Sequence, residues 1–452
     1  MRPKSKYLAV AAGVLMAAFL SAIPYGACSA QDGDPHGTQR TVVSVAEADS
    51  LPTYGNTPEE LRPFGRFVTK PYKQFFVDPL EFTGPGREKP EPNVDSVVIG
   101  LLAPLKRSHE AYIGQPMLQA ARLAIDEANA GGGYKGKPFK LVVRNDTGLW
   151  GASANEIVTF SYVDSAWAVI GTVDGANTHI AIRVALKTEL PVINVADTDP
   201  TLVETKIPWI FRNIADDRQM AYTIAYHVYR ERNFKRVAIL RADNRYGRFG
   251  VGEFRSGSVR LKHPPPMEVN YEIAYNHVNP DFSIQMKRLK RVKPDAVVLW
   301  ADAEAGGHLV RRMRAEGLDV PIFACDRVLS PRFLEVAGPA AEGVVAAVPF
   351  NPEADNPRLE QFRENFQSRY GAEPGVYAAH AYDGAWMTID AIRKGGLNRY
   401  RIRDALAEIT SYQGVTGEIV MDNVYADRGP VTLATVRNGH WVYNEPMVKR
   451  VF

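Results

Sequence analysis

Cysteine is nearly absent from this chain: only Cys28 and Cys325 occur in 452 residues. If the leader is removed or Cys28 is modified, Cys325 is the sole ordinary thiol. No internal disulfide can then form, and stability has to come from a packed core. Charge of one sign is not in excess either, with a formal net charge of +3 and no concentrated basic tract. That balance gives no reason to expect a nucleic-acid partner. Beyond the N-terminus no run approaches the ~20 apolar residues that cross a bilayer, so a mature chain has no transmembrane segment. Enzyme signatures are missing too. There is no G-x-S-x-G elbow, no H-E-x-x-H and no paired C-x-x-C. Gly84-Pro85-Gly86 lacks the third glycine of a dinucleotide fingerprint. His263, His277 and His308 fall in separate segments, without metal-ligand spacing. No cofactor, metal or catalytic residue is expected.

One stretch does suggest nucleotide chemistry. Gly131, Gly136 and Lys137 in GGGYKGKP fit the spacing of a phosphate-binding loop. Pro138 stands where magnesium ligation needs Ser or Thr. The order of elements is also reversed. A helical pattern, QAARLAIDEANA, precedes the glycines and a strand pattern, FKLVVRN, follows. The glycines therefore read as a helix end and turn.

The N-terminus has the three-part plan of a secretory leader. Arg2, Lys4 and Lys6 form a basic region, Leu8 to Ile23 is apolar, and small residues run from Gly26 to Ala30. Two processing routes are open. Gly26-Ala27-Cys28 has the outline of a lipobox, with Tyr25 in place of an aliphatic residue, and cleavage after Ala30 is the other route. Residues 31–96 are rich in proline, which disfavours long helices and central strands. Aromatics are interleaved: Tyr54, Phe64, Phe67, Tyr72, Phe75, Phe76 and Phe82. This composition suggests a tether to about Leu51, then an arm whose rings dock on the body or a partner.

From Val97 onward, short apolar runs alternate with longer helical patterns. The runs VVIGLL, FKLVVRN, AWAVIG and LPVINVA are followed by RVAILRA, EVNYEIAY, DAVVLWA, VPIFAC and GVVAAVPF. Such alternation gives an α/β fold with parallel sheets covered by helices. Ligands in such sheets bind beyond the carboxyl ends of the strands. The loop after AWAVIG leads to Gly175, Ala176, Asn177 and Thr178. There Asn177 and Thr178 are expected to cap a helix beginning near His179, whose amides suit an anion. The loop after PVINV carries Ala196 and Thr198. Either loop could equally be a helix cap and nothing more.

The succession IGLLAPL, Gly114, LQAARLAIDEANAGGGYKGK, VIGTVDGANTHIAI, LPVINVADTDPTL, IFRN and RVAILRADNRYGRFG resembles the branched-chain amino-acid and amide type of periplasmic solute-binding protein. The resemblance runs from about Val97 to the C-terminus. It implies a type I periplasmic-binding-protein fold: two Rossmann-like lobes with parallel sheets, joined by three crossovers. Residues 97–213 and 350–423 would form lobe one, and 214–349 and 424–452 lobe two. It implies a small-molecule ligand, delivery to an ABC permease in the inner membrane, an envelope location and no catalysis. Ala196 and Thr198 match positions that grip a ligand carboxylate. The serine run usual in the first loop is replaced here by Gly175 to Thr178. Tyr246 matches a cleft tyrosine and Asp326 an acidic residue that receives the ligand ammonium. Asp302 stands where some members carry a ligand-facing tyrosine, and Trp150 is a candidate cleft wall. These positions together suit a zwitterion or an amide. A sensor module serving a separate signalling partner and an exported enzyme are the alternatives.

Intact-mass analysis of the processed protein tests the leader. A diacylglycerol adduct on Cys28 marks a lipoprotein, a Gln31 start marks a soluble envelope protein, and a chain retaining Met1 refutes both.

Overall fold

A computed structural model describes residues 82–147, 151–205, 207–263, 271–275 and 281–443. Cys28, Trp150 and most of the aromatic arm lie outside these residues. The first sheet has the order β2-β1-β3-β4-β5 and is wholly parallel. Its strands are β1 (Val97–Ala103), β2 (Phe139–Asn145), β3 (Ala168–Ile170), β4 (Val192–Asn194) and β5 (Ile210–Arg212). Helices α1 (Ala111–Ala130), α2 (Ala152–Tyr162) and α3 (Gly175–Thr188) connect them. Strands β1, β3 and β4 are buried on both faces, so they read as continuous apolar runs without alternation, whereas β2 at the sheet edge is only partly buried.

After α4 (Asp217–Tyr226) the chain builds a second sheet. It contains β6 (Val237–Ala242), β7 (Tyr271–Tyr275), β8 (Ala296–Trp300), β9 (Ile322–Ala324) and β10 (Val345–Val348), all parallel. Helices α5 (Arg245–Arg260), α6 (Ser283–Val292), α7 (Ala303–Ala315) and α8 (Pro331–Ala337) lie between these strands. The chain then returns to the first lobe with α9 (Pro357–Tyr370) and α10 (Val376–Gly395), both packed on α1. There follow α11 (Arg399–Ala407) and a small hairpin, β11 (Ser411–Gly414) and β12 (Gly417–Val420). Finally β13 (Thr432–Arg437) and β14 (His440–Tyr443) add antiparallel strands to the second sheet. The fold is the expected two-lobed α/β arrangement with three crossovers.

Those crossovers are tied together. The Arg212 amide donates to the Tyr425 carbonyl (2.9 Å) and the Asp427 amide to the Arg212 carbonyl (2.9 Å), so the first and third run side by side. Asn213 Nδ2 donates to the His380 carbonyl (2.9 Å). The Phe350 ring, from the second crossover, meets the His380 imidazole edge-on. Burial pushes that imidazole down to about 3, so the hinge holds a neutral histidine.

The glycine-rich stretch is a turn. Gly132, Gly133 and Gly136 have φ of +94°, +65° and +81°, which glycine adopts without a Cβ clash. Lys137 Nζ donates to Asn93 Oδ1 (2.8 Å) and to the Val94 carbonyl (2.6 Å). Tyr134 Oη donates to Glu91 Oε2 (2.7 Å). The loop therefore clamps the residues that enter β1. Gly114 has a different role: a Cβ there would lie 2.0 Å from the Pro104 carbonyl oxygen, so its absence lets α1 pack against the end of β1.

Only the last part of the arm is described. Phe82 stacks against Tyr400 and meets Trp209 edge-on, with centroids 5.2 Å apart in the latter pair. Arg87 grips Asp404 through Nε (2.5 Å) and Nη2 (2.9 Å). Phe82 is half-buried, so Phe82→Ala should destabilise the fold by about 1–2 kcal/mol, below the full value for a buried ring. Urea denaturation checks this; an unchanged midpoint means that the ring anchors nothing.

Candidate functional site

Parallel strands deliver their carboxyl ends, and the loops that follow, to one edge of each sheet. In this chain those loops meet. The turn after β9 places Asp326 and Arg327 at the meeting point, both fully buried. Arg327 crosses to the first lobe. Its Nη1 donates to Glu110 Oε1 (2.5 Å), just before α1, and its Nη2 to the Val173 carbonyl (3.1 Å), just before α3. The guanidinium also lies over the Tyr246 ring, 3.9 Å from its centroid. Burial opposes the charge, but Glu110 and the surrounding phenols favour it and hold Arg327 well above its ordinary range. Tyr112, on α1, reaches the other way, accepting from the Ala303 amide (3.3 Å).

Asp326 collects donors from three segments. Tyr246 Oη (3.0 Å), Tyr377 Oη (2.6 Å) and the Cys325 thiol (3.1 Å) all point to its carboxylate. Beside it, Asp217 Oδ1 accepts from Thr198 Oγ1 (2.7 Å) while Oδ2 is buried without a partner. Burial first, and the Asp326 charge second, push Asp217 well above the ordinary carboxylate range. Asp217, Cys325 and Asp326 are also close enough to share an ion, with ligand atoms within 4.8 Å. Thr198 satisfies one oxygen of Asp217, and Tyr246 and Tyr377 satisfy Asp326.

A second bridge closes the rim. Arg245, at the start of α5, pairs through Nε with Asp199 and donates through Nη2 to His179 Nε2 (2.9 Å) and Thr201 Oγ1 (2.9 Å). Burial opposes ionisation of Asp199, yet the His179 contact and the Arg245 charge hold it down at about 2.

The expected residues fare differently. Asp326 and Tyr246 come together, although 80 positions separate them. The α3 helix starts at Gly175, four residues before the expected point, and Asp174 is its cap, accepting from the Asn177 amide (3.0 Å). A carboxylate is as good an N-cap as an amide or hydroxyl, and it stands nearer the strand end. The Asn177 and Thr178 amides are therefore taken. Asn177 Nδ2 donates to Asp146 Oδ1 (3.2 Å), and the Thr178 hydroxyl bonds the Asp174 carbonyl and Thr172. The first amides of α3, on Gly175 and Ala176, have no intrahelical acceptor by helical geometry. In the second loop the Ala196 amide is bound by Asn194 Oδ1 (3.1 Å). Asp302 caps α7, accepting from the Ala305 amide (3.0 Å). Asp326 caps nothing, because Ser330 is the cap of α8. The pattern search missed Glu110, Arg327, Asp217, Arg245 and Tyr377. The adjacent charges in CDRV, in a strand-end turn that should be buried, were the available signal.

Residues 96–438 match the family described as periplasmic binding protein. Leu/Ile/Val-binding protein homolog 2 of Brucella abortus is 28% identical over 335 residues, which is 72% of this chain and 86% of the relative. The leucine-, isoleucine-, valine-, threonine- and alanine-binding protein of Pseudomonas aeruginosa is 23% identical, with shares of 73% and 86%. The solved branched-chain amino-acid transporter substrate-binding protein of Streptococcus pneumoniae, in complex with isoleucine, superposes with a TM-score of 0.70. It is 23% identical over 77% of this chain and all of that one. A solute-binding protein of R. palustris, in complex with benzoate, also reaches 0.70, at 17% identity, with shares of 77% and 95%. The fold is thus shared by receptors holding different solutes.

Asp197 gives a pH test of the site. Burial, then the Asp199 charge, push its carboxyl up to about 8. A raised carboxyl pKa means that the folded state holds the proton longer than the unfolded state. Its contribution is fully present below the unfolded value near 4 and is lost as pH rises to about 8. Asp197→Asn, which mimics the protonated form, should therefore gain thermal stability over wild type as pH goes from 5 to 8. A constant difference in melting temperature across that range contradicts this account.

Proposed function

Because the chain belongs to the periplasmic binding protein family, we propose that it is an extracytoplasmic receptor that captures one small polar molecule between its lobes. The observation that carries this reading is the meeting of strand-end groups from both lobes around Arg327. Neither lobe alone completes those contacts, so closure and solute capture are coupled. The ligand-facing groups are the Gly175 and Ala176 amides, Thr198, Asp217, Tyr246, Asp326 and Arg327. Trp150 remains a proposed wall, and Cys28 a proposed lipid anchor in the alternative to a soluble envelope form. An ABC permease accepts the closed receptor and takes the solute, which belongs to the amino acids, amides or small organic acids. The site binds and releases its solute unchanged. No helix among the described residues is long and apolar enough to cross a membrane.

Mass spectrometry of solute released by denaturing natively purified protein should find one small molecule at one per chain. Titration of that molecule into stripped protein should show saturable one-to-one binding with no product. Conversion of the solute, or a cleft that retains and rebinds nothing, overturns the proposal.

A further inference from the structure

We propose that the outer face of α6 is a docking surface for an anionic lipid membrane, with Lys287, Arg288 and Arg291 meeting the headgroups and Ile284 entering among them. The surface lies outside the solute cleft, so it stands or falls separately from the receptor reading.

The sequence of α6, SIQMKRLKRV, carries Lys287, Arg288, Lys290 and Arg291 and no acid. Met286 and Leu289 are buried and hold the helix on the protein body. Residues three and four apart share a helix face. Ile284, Lys287, Arg288 and Arg291 therefore form one stripe, and all four are exposed. Ile284 is 63% exposed. One exposed aliphatic is ordinary on a protein surface. Set at the head of a cationic row, it completes the pattern of a helix lying in a membrane interface, with cations among the headgroups and an apolar group below them.

Neighbouring elements leave this positive charge in excess. Asp281 precedes the helix and accepts from the Ser283 amide (3.1 Å) and hydroxyl (2.6 Å). Glu316, just after α7, is shared by Lys290 (2.8 Å) and Arg312 (2.7 Å). By contrast, the exposed Arg363, Arg369 and Arg393 of the first lobe each meet an acid: Glu373, Asp126 and Asp390. The excess on α6 is thus local, in a chain whose formal net charge is only +3. A protein partner would have to match the row with fixed carboxylates. A fluid layer of anionic headgroups supplies the charge at any spacing.

Topology gives the stripe its direction. Strands β7 and β8 each pair in parallel with β6, so α6 has to run back from the carboxyl edge of the sheet to its amino edge. Ile284, in the first turn, lies towards the edge that carries the strand-end site, and Arg291 towards the opposite one. Docking along the stripe covers the outer side of the second lobe and leaves the site-bearing edge open to solute.

Flotation with lipid vesicles tests the proposal on the processed chain starting at Gln31, which has neither leader nor acyl anchor. Vesicles of phosphatidylglycerol and phosphatidylethanolamine should carry the protein at low salt, and vesicles of phosphatidylcholine alone should not. Salt at about 0.5 M should release it, because screening shortens the reach of each charge. Lys287→Gln/Arg288→Gln/Arg291→Gln should weaken binding by about ten- to a hundredfold, and Ile284→Ser should weaken it less. Arg122→Gln/Arg183→Gln/Lys187→Gln removes the same charge from the first lobe and should change binding by less than about twofold. Inorganic phosphate at constant ionic strength should displace nothing. The proposal is overturned by equal binding to phosphatidylcholine, by release with phosphate, by either stripe variant binding like wild type, or by the first-lobe variant losing as much as the stripe triple. Failure of wild type to bind anionic vesicles overturns it too, even if the chain captures an acidic protein. None of these results bears on the receptor reading, which rests on the cleft.

Discussion

A buried charge must have a partner, and the position of Arg327 makes that requirement depend on the distance between lobes. It is fully buried, and its hydrogen bonds go to the opposite lobe, to Glu110 and the Val173 carbonyl, with the Tyr246 ring beneath it. Removing one partner of a buried pair costs on the order of 3–5 kcal/mol, whereas the intact pair contributes little net stability. Such a contact registers closure without locking it.

The rest of the architecture serves that encounter. Tyr246 supports the guanidinium from below and also holds Asp326, so the adjacent acid and base are fixed together. Tyr377, at the first turn of α10, carries a group from the first lobe to the same carboxylate. The paired crossovers at Arg212 and Asp427 run side by side where the chain passes between the two sheets. Arg212 links the crossovers to the site, donating to the Asp199 carbonyl (2.9 Å) and to Asp216 (2.7 Å). At the rim, Asp199 meets Arg245 of the other lobe.

Much of this was legible in the sequence, for identifiable reasons. Strands buried on both faces leave unbroken Val, Ile and Leu runs, and VVIGLL or DAVVLW can be little else. The glycine turn was readable because Pro138 and the element order excluded a phosphate loop. By contrast α11, RYRIRDALA, has a weak apolar stripe. Its helix is fixed by the Asn398 cap and by partners far away in sequence, such as the Pro208 carbonyl for Arg403 (2.8 Å). The start of α3 was misplaced because Asp174, Asn177 and Thr178 are all acceptable caps, and only the strand-end geometry chooses among them. Tyr246 and Asp326 were visible through a family pattern. Arg327 was not, because its meaning lies in Glu110, 217 positions earlier.

The central claim is that solute and lobe closure are one equilibrium. The most direct measurement is the distance between spin labels on exposed positions of the two lobes, Arg122 on α1 and Arg311 on α7, by pulsed electron resonance. Protein stripped of solute should give a broad distribution that includes longer distances. Adding back the released solute should collapse it to the single short distance of the closed structure. Identical distributions with and without solute would contradict the account.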